Sequence, residues 1–175
     1  MHQPIKFKLN ALTNAVPPEG VYISRDPVYF CAVIMACGII TPELEKVRSA
    51  ALSVLKHTYS PYSKFPVGAA LLDTEGRIFT GVNVENASYP CGWCAEISAF
   101  GAAMTAGARE FVAMAVAVDR DAFSTPCGRC RQVICEFCYG KNMPLLLVNK
   151  KGEFELTKIE DIHRMAFMQE NMKTK

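Results

Sequence analysis

The sequence lacks the features that mark several common classes of protein. No run of lysine or arginine appears in its 175 residues, and 19 basic against 17 acidic residues leave a net charge of +2. Proteins that bind a phosphate backbone usually carry a basic stripe, so the composition gives no support for nucleic acid or an anionic membrane as the main ligand. The longest apolar run, Val28 to Ile40, is shorter than the roughly 20 residues of a typical membrane span.

The first ten residues contain two lysines but not the apolar stretch that a secretory leader requires. We therefore expect a cytoplasmic location, in which thiols stay reduced. The eight cysteines are then predicted to serve metal binding and packing rather than a disulfide framework. Half of the residues are apolar, which is enough for one domain with a hydrophobic core.

The chain divides near Thr41. Residues 1–40 are predicted to form an N-terminal extension, which is either poorly ordered or packed on the body or a partner through its apolar run. Residues 41–175 are predicted to form the folded domain. Helices are predicted to begin at Pro42 and to span 94–108, 128–138 and 159–168, and strands to span 67–72, 77–84, 111–118 and 145–148. This alternation indicates an α/β fold, a three-layer α-β-α sandwich around a mixed sheet.

Cysteines cluster in two segments that each open a predicted helix. Cys94 begins one of them, and Cys127 and Cys130 stand three residues apart at the start of the other. Amide groups at a helix N-terminus point outward and favour negative charge, so thiolates are stabilised there. Two such helix starts facing each other would place three or four sulfurs at the Zn–S distance of about 2.3 Å. One Zn²⁺ per subunit is therefore the predicted cofactor.

The number of ligands separates two kinds of zinc site. Four cysteines, with Cys91 as the fourth, would form a closed structural site in a non-catalytic protein. Three would leave one position open for water, and Glu96, two residues after Cys94, could then act as a general base. The pairing of Cys-x-Glu with a later Pro-Cys-x-x-Cys favours the open site, because it is the three-cysteine form of the zinc-deaminase signature.

Beyond these ligands, the chain resembles the small homotetrameric cytidine deaminases. The matching runs are PYSKFPVGAA from Pro61, GVNVENA from Gly81, CAE from Cys94 and PCGRCRQ from Pro126. The likeness continues more faintly to about Phe167, so residues 41–175 are expected to be a cytidine deaminase-like catalytic domain with a mixed five-stranded sheet. It implies a hydrolase of pyrimidine salvage that converts cytidine and deoxycytidine to uridine and deoxyuridine plus ammonia, in a homotetramer with shared active sites.

The resemblance also implies roles for individual residues. Glu96 would move protons between water, the N3 atom of cytosine and the leaving amine. The implied substrate contacts are Asn83 and Glu85 with the ribose 3′-hydroxyl, Phe65 beside the base, Ala95 and Thr125 at the base edge, Ala87 and Tyr89 toward a neighbouring subunit's site, and Phe167 over the base in an adjacent protomer. An amide and a carboxylate can together donate to and accept from a hydroxyl, which agrees with the role given to Asn83 and Glu85.

One position departs from the family pattern. Many tetrameric relatives follow Cys-Ala-Glu with an arginine that offsets the negative charge of three thiolates on Zn²⁺, whereas this chain has Ile97. We hypothesise that Arg129 or Arg131 takes over this role. The chain also resembles blasticidin-type deaminases, which likewise lack that arginine, so a nucleoside-analogue deaminase is the alternative. Glu85 and the run from Phe65 favour cytidine.

Overall fold

The computed structural model describes residues 40–172, so nearly all of the expected N-terminal extension lies outside the described residues. The helices are α1 (Pro42–Ser53), α2 (Ala95–Thr105), α3 (Gly128–Cys138) and α4 (Ile159–Ile162), and the strands are β1 (Val67–Asp73), β2 (Ile78–Val82), β3 (Phe111–Val118), β4 (Leu145–Val148) and β5 (Phe154–Thr157). Single 3₁₀ turns occupy Leu55–His57, Tyr89–Cys91 and Gln169–Met172. No helix within residues 40–172 has the length and apolar character needed to cross a membrane.

The five strands form one mixed sheet in the order β2-β1-β3-β4-β5. Strands β3 and β4 run parallel, with Met114 opposite Leu145, and every other pair of neighbours is antiparallel. Helix α3 lies in the connection between β3 and β4, because parallel neighbours need a crossover rather than a tight turn. The predicted mixed sheet of five strands is confirmed.

Helices cover both faces of the sheet, which confirms the predicted three layers. Helix α1 packs on one face, where Leu44, Val47 and Ala51 are buried in a cluster with alternate residues of the strands. Helices α2 and α3 pack on the other face, where Phe100 and Phe137 stack with ring centroids 5.1 Å apart. The two helices that begin with cysteine therefore lie side by side on the same side of the sheet.

The start of α1 follows its local sequence. Thr41 is the N-cap in an extended conformation, its Oγ1 accepts a hydrogen bond from the Leu44 amide at 3.4 Å, and Pro42 occupies the first helical position. Glu43 and Glu45 add negative charge to the first turn, where the helix dipole favours it. The predicted start of this helix is confirmed.

The end of the chain differs from the prediction of a helix over 159–168. Helix α4 ends at Ile162, and residues 163–168 run along α3 without a helical pattern. The Arg131 guanidinium donates to the Ile162 carbonyl, the Tyr139 hydroxyl to the Arg164 carbonyl, and the Gln132 amide to the Phe167 carbonyl. These carbonyls are satisfied by two side chains of α3 and by Tyr139, which directly follows that helix, so the prediction was wrong for residues 163–168.

Strand β5 was not located from the pattern. Its four residues pair with β4 after a turn in which the Asn149 side chain accepts hydrogen bonds from the Lys151 and Glu153 amides, both at 3.0 Å. Four residues are too few to establish an alternation of apolar and polar positions.

A close approach between β2 and α2 gives the first prediction. A Cβ atom at Gly81 would overlap the backbone of Ala95 and Ala99, so Gly81→Ala must push α2 away from the sheet. We expect the free energy of unfolding to fall by about 3 kcal/mol in urea titrations. Gly101→Ala is the matched control, because no atom beyond the local backbone of its own helix lies within 4 Å of its added Cβ. That control should gain up to about 1 kcal/mol from helix propensity, and equal stabilities of the two variants would contradict the close approach.

Candidate active site

Two helix N-termini meet at the metal-binding candidates. Cys94 is the N-cap of α2 and Cys127 is the N-cap of α3, and neither side chain makes a capping hydrogen bond. Cys130 lies one turn into α3 and is fully buried. The sulfurs of both N-cap residues are therefore available to a ligand, in the field of two helix N-termini that favours thiolates.

The geometry of the three sulfurs fits a zinc ion. The ligand atoms of Cys94, Cys127 and Cys130 all lie within 4.8 Å of one another, and the Cys94 and Cys127 sulfurs are 3.8 Å apart. A tetrahedral site with Zn–S bonds of about 2.3 Å requires sulfur–sulfur separations of about 3.8 Å. Cys91 is exposed in the 3₁₀ turn before α2 and is not part of this group among the described residues. The donor set therefore has three members, which suits an open zinc site rather than a closed one.

The pKa values of the Cys94 and Cys130 thiols are shifted in opposite directions. Hydrogen bonding with Cys130 lowers the pKa of Cys94 to about 6, against burial and the nearby Glu96 carboxylate, and Cys127 and the positive charge of Arg129 lower it further. The same hydrogen bond, together with burial, raises the pKa of Cys130. One thiolate is thus already favoured without metal, and metal binding must displace the remaining protons.

Glu96 stands in the first turn of α2, where it is only 4 % exposed and lines the pocket. Burial raises the pKa of its carboxyl group above the ordinary value, although hydrogen bonds to its own amide and to Cys130 oppose the shift. A carboxyl group with a raised pKa can accept and return a proton near neutral pH. Its position beside the three sulfurs gives the site both a metal-binding group and a proton carrier.

These groups line a pocket of about 760 Å³. The predicted site residues that line it are Phe65, Asn83, Glu85, Tyr89, Cys94, Ala95, Glu96, Thr125, Cys127 and Arg129. Lining residues that the sequence did not indicate are Tyr62, Ser63, Val67, Val84, Asn86, Gly92, Trp93, Val116, Val118 and Ser124. Four of these residues could have been found from the sequence. Tyr62 and Ser63 belong to the same run as Phe65, and Val116 and Val118 are alternate residues at the end of β3, so their side chains point to the same face of the sheet.

The two residues assigned to the ribose are also structural. The Asn83 amide accepts from the Val67 amide and donates to the Phe65 carbonyl, both at 2.9 Å. One carboxylate oxygen of Glu85 accepts from the Tyr62 amide at 2.8 Å and from the Ser63 amide at 3.1 Å, and the other accepts from the Ser63 hydroxyl. Hydrogen bonding from Ser63 is the main cause that lowers the pKa of Glu85, so it is an anionic acceptor. Both side chains hold residues 60–66, which we call the pocket loop.

Comparison with known proteins decides the family. The family model described as the cytidine and deoxycytidylate deaminase zinc-binding region matches residues 41–145. The chain belongs to this deaminase family. It is 45 % identical over 130 residues to a cytidine deaminase of Sporosarcina psychrophila, covering 74 % of this chain and 95 % of the relative.

Solved structures of deaminases share the fold. A cytidine deaminase from Burkholderia pseudomallei superposes with a TM-score of 0.66 at 40 % identity, covering 73 % of this chain and all of the other. A cytidine deaminase from Mycobacterium tuberculosis superposes with a TM-score of 0.60 at 35 % identity, covering 70 % of this chain and 95 % of the other. The zinc-binding enzyme fold expected from the sequence is confirmed.

The two arginines near the deaminase ligands have different surroundings. The Arg131 guanidinium donates to the Pro126 carbonyl at 2.7 Å, the Thr125 hydroxyl at 2.7 Å and the Ile162 carbonyl at 3.0 Å. It therefore fixes the loop before Cys127 and ties that loop to the end of the chain. Arg129 is exposed, lines the pocket and acts on Cys94 through its charge. Of the two candidates for offsetting thiolate charge, Arg129 is the one whose positive charge lowers the pKa of a ligand thiol, whereas the Arg131 guanidinium donates to oxygen atoms.

Two predicted substrate contacts lie outside this pocket. Ala87 is exposed and is not a lining residue, and the Phe167 side chain is 59 % exposed in the segment that follows α4. Tyr89 lines the pocket, yet it is 78 % exposed and packs edge-on against Tyr62 with ring centroids 6.1 Å apart. The structure of this deaminase chain thus gathers all the predicted substrate-binding residues except Ala87 and Phe167.

Proposed function

We propose that the protein catalyses the zinc-dependent hydrolytic deamination of cytidine and deoxycytidine to uridine and deoxyuridine, with release of ammonia. The observation that carries this proposal is the buried Glu96 carboxyl group beside three cysteines arranged for an open zinc site. The similarity to cytidine deaminases supports it, as does a pocket large enough for a nucleoside.

The arrangement of the site assigns a separate chemical role to zinc, to Glu96 and to the backbone at Ala95 and Thr125. Zinc, when held by Cys94, Cys127 and Cys130, supplies a Lewis acid that lets water act as a nucleophile near neutral pH. Glu96 accepts a proton from the water that attacks C4 of the base and delivers it to N3. Glu96 then carries the second proton of that water to the amino group, so that the C4–N bond breaks and ammonia leaves. The backbone at Ala95 and Thr125 holds the edge of the base.

The ribose is placed by residues that also hold the pocket loop. The Asn83 amide nitrogen uses one N–H on the Phe65 carbonyl, which leaves its second N–H to donate to a 3′-hydroxyl. The Glu85 carboxylate keeps acceptor capacity beyond its bonds to Tyr62 and Ser63, so it can accept the proton of the same hydroxyl. Phe65 contacts the base from the pocket loop.

Turnover of cytidine tests the proposed function directly. Zinc-loaded protein is mixed with cytidine or deoxycytidine, the loss of ultraviolet absorbance is followed, and ammonia is assayed in the same samples. We expect one ammonia per nucleoside consumed. A folded, zinc-loaded protein that consumes neither nucleoside would contradict the proposal, whether or not it acts on an analogue such as blasticidin.

We propose that Arg129 offsets the thiolate charge that Ile97 leaves uncompensated. Arg129→Gln should shift the acid limb of the pH–rate profile upward by about half a pH unit, a size set by the exposure of the guanidinium. It should also release zinc at a lower chelator concentration, because the thiolates lose a stabilising cation. Arg109→Gln is the control, since Arg109 bonds backbone carbonyls at the end of α2. Identical profiles and zinc retention in both variants would contradict the role of Arg129.

We infer that the enzyme is a homotetramer with shared active sites that acts in cytoplasmic pyrimidine salvage. The exposure of Phe167, outside its own pocket, supports a contribution to a neighbouring site. Light scattering of the full chain should give four protomers. Mixed oligomers of Glu96→Gln and Phe167→Ala chains should be more active than either parent, and a monomer or unchanged activity would contradict the shared site.

A further inference from the structure

Arg120 holds the pocket loop at the position of its aromatic residue. The Arg120 guanidinium carbon lies 5.3 Å from the centre of the Phe65 ring, and its Nη2 donates to the Lys64 carbonyl at 2.7 Å. Arg120 follows β3 by two residues, and its own backbone carbonyl accepts from the Lys150 amide at 2.9 Å. One side chain thus connects the end of a core strand to both the backbone and the ring of the loop.

The pocket loop is also held at its backbone, at the Ser63 hydroxyl and at the Tyr62 ring, which packs edge-on against Tyr89. Glu85 binds the Tyr62 and Ser63 amides, and Asn83 binds the backbone on both sides of Pro66. Lys64 has a left-handed conformation with φ of 52°, which a non-glycine residue adopts only when its surroundings hold it. Among the described residues, Arg120 is the cation that lies over the Phe65 ring.

We propose that Arg120 is a positioning residue that fixes the Phe65 ring against the nucleoside and thereby sets substrate affinity. Phe65 lines the pocket and Arg120 does not, so the guanidinium acts through the ring and not by touching the substrate. This role rests on the proposed function and adds to it a residue that the deaminase signature does not contain.

The chemistry of arginine suits this double contact. A guanidinium is planar, so it can face an aromatic ring while an N–H in its plane donates to a carbonyl oxygen. A lysine ammonium has no such plane, and it keeps the charge without fixing both partners. Arg120→Lys should therefore retain part of the effect, whereas Arg120→Met removes both the charge and the donor.

Steady-state kinetics with cytidine separate positioning from catalysis. Arg120→Met should raise KM by about fivefold and leave kcat within about twofold, because a ring that contacts the base equally in ground and transition states contributes uniform binding. Arg120→Lys should fall between Arg120→Met and the wild type. Arg109→Met is the control, because Arg109 follows α2 and donates to the Met104 and Ala108 carbonyls. This variant should leave KM and kcat unchanged.

A double-mutant cycle with Phe65→Leu tests whether Arg120 acts through the ring. If it does, adding Arg120→Met to Phe65→Leu should raise KM by less than about twofold further. Hydrogen exchange of the substrate-free protein gives a readout without turnover, and residues 60–66 should exchange faster in Arg120→Met than in Arg109→Met.

Unchanged KM in Arg120→Met, or a full additional increase in the double variant, would overturn the role of Arg120 while wild-type turnover upheld the proposed function. Absence of wild-type turnover would instead overturn the proposed function. In that case, equal exchange of the pocket loop in Arg120→Met and Arg109→Met would overturn the positioning role as well.

Discussion

Replacement of Glu96 by glutamine is expected to lower kcat for cytidine by about 10³- to 10⁴-fold while zinc stays bound. The amide has nearly the same shape but cannot accept the proton of the attacking water or return it to the base. Glu43→Gln is the matched control, since Glu43 is also a first-turn acid but is exposed at the start of α1. Metal analysis alongside the kinetics should show equal zinc in all three proteins.

Although Glu96→Gln should lower kcat, it should raise the stability of the metal-free protein at neutral pH. Burial raises the pKa of Glu96 above its ordinary value of 4.5, so the native metal-free protein favours the protonated carboxyl group and loses stability as the pH rises above that value. Glutamine carries no such penalty. Metal-free Glu96→Gln should therefore melt above metal-free wild type at pH 7, by a margin that shrinks toward pH 4. A variant that kept its activity, or that became less stable, would contradict the role of Glu96 as a buried proton carrier.

Cys127→Ala is expected to abolish both zinc binding and turnover. Two sulfurs would remain of a three-sulfur set, so zinc should fall from about one per chain to less than about a tenth after dialysis. The zinc-dependent rise in melting temperature should disappear with it, because only the folded wild type gains free energy from the metal. Metal analysis and thermal melts with and without added zinc measure both effects.

Cys91→Ala is the decisive control for the ligand set. Its exposed thiol is not part of the three-sulfur group, so the variant should keep zinc and activity. Release of zinc from Cys91→Ala, together with wild-type behaviour of Glu96→Gln, is the pattern expected of a closed four-cysteine structural site. That pair of results would reject the catalytic interpretation.

Much of the fold could be predicted because its signals are local. The apolar run from Phe111 to Val118 and the face shared by Cys130, Ile134 and Cys138 gave the limits of β3 and α3 as the structure has them. The segment after α4 could not be predicted, because its path depends on hydrogen bonds from side chains of α3 and of Tyr139, which are distant in sequence. Such partners have no periodic pattern.

The candidate site likewise contains residues that the sequence identifies and residues that only the fold brings into place. Ligand spacing identified Cys94, Cys127 and Cys130, and the structure places their sulfurs together. The sequence could not separate Arg129 from Arg131, since the two residues differ only in which neighbours their side chains reach. It also gave no sign of Arg120, whose contacts with the pocket loop join residues 56 positions apart in the chain.

The bonds of Asn83 and Glu85 to the pocket loop limit how this enzyme can be redesigned. A library that varies these two positions to accept a modified sugar also releases the segment that carries Phe65. With Asn83 and Glu85 in their proposed role at the ribose and Phe65 in its proposed role at the base, recognition of the sugar and recognition of the base become coupled traits. A gain in one is then expected to come with a change in the other. Variants with new sugar preference should arise more readily when second substitutions elsewhere restore the loop.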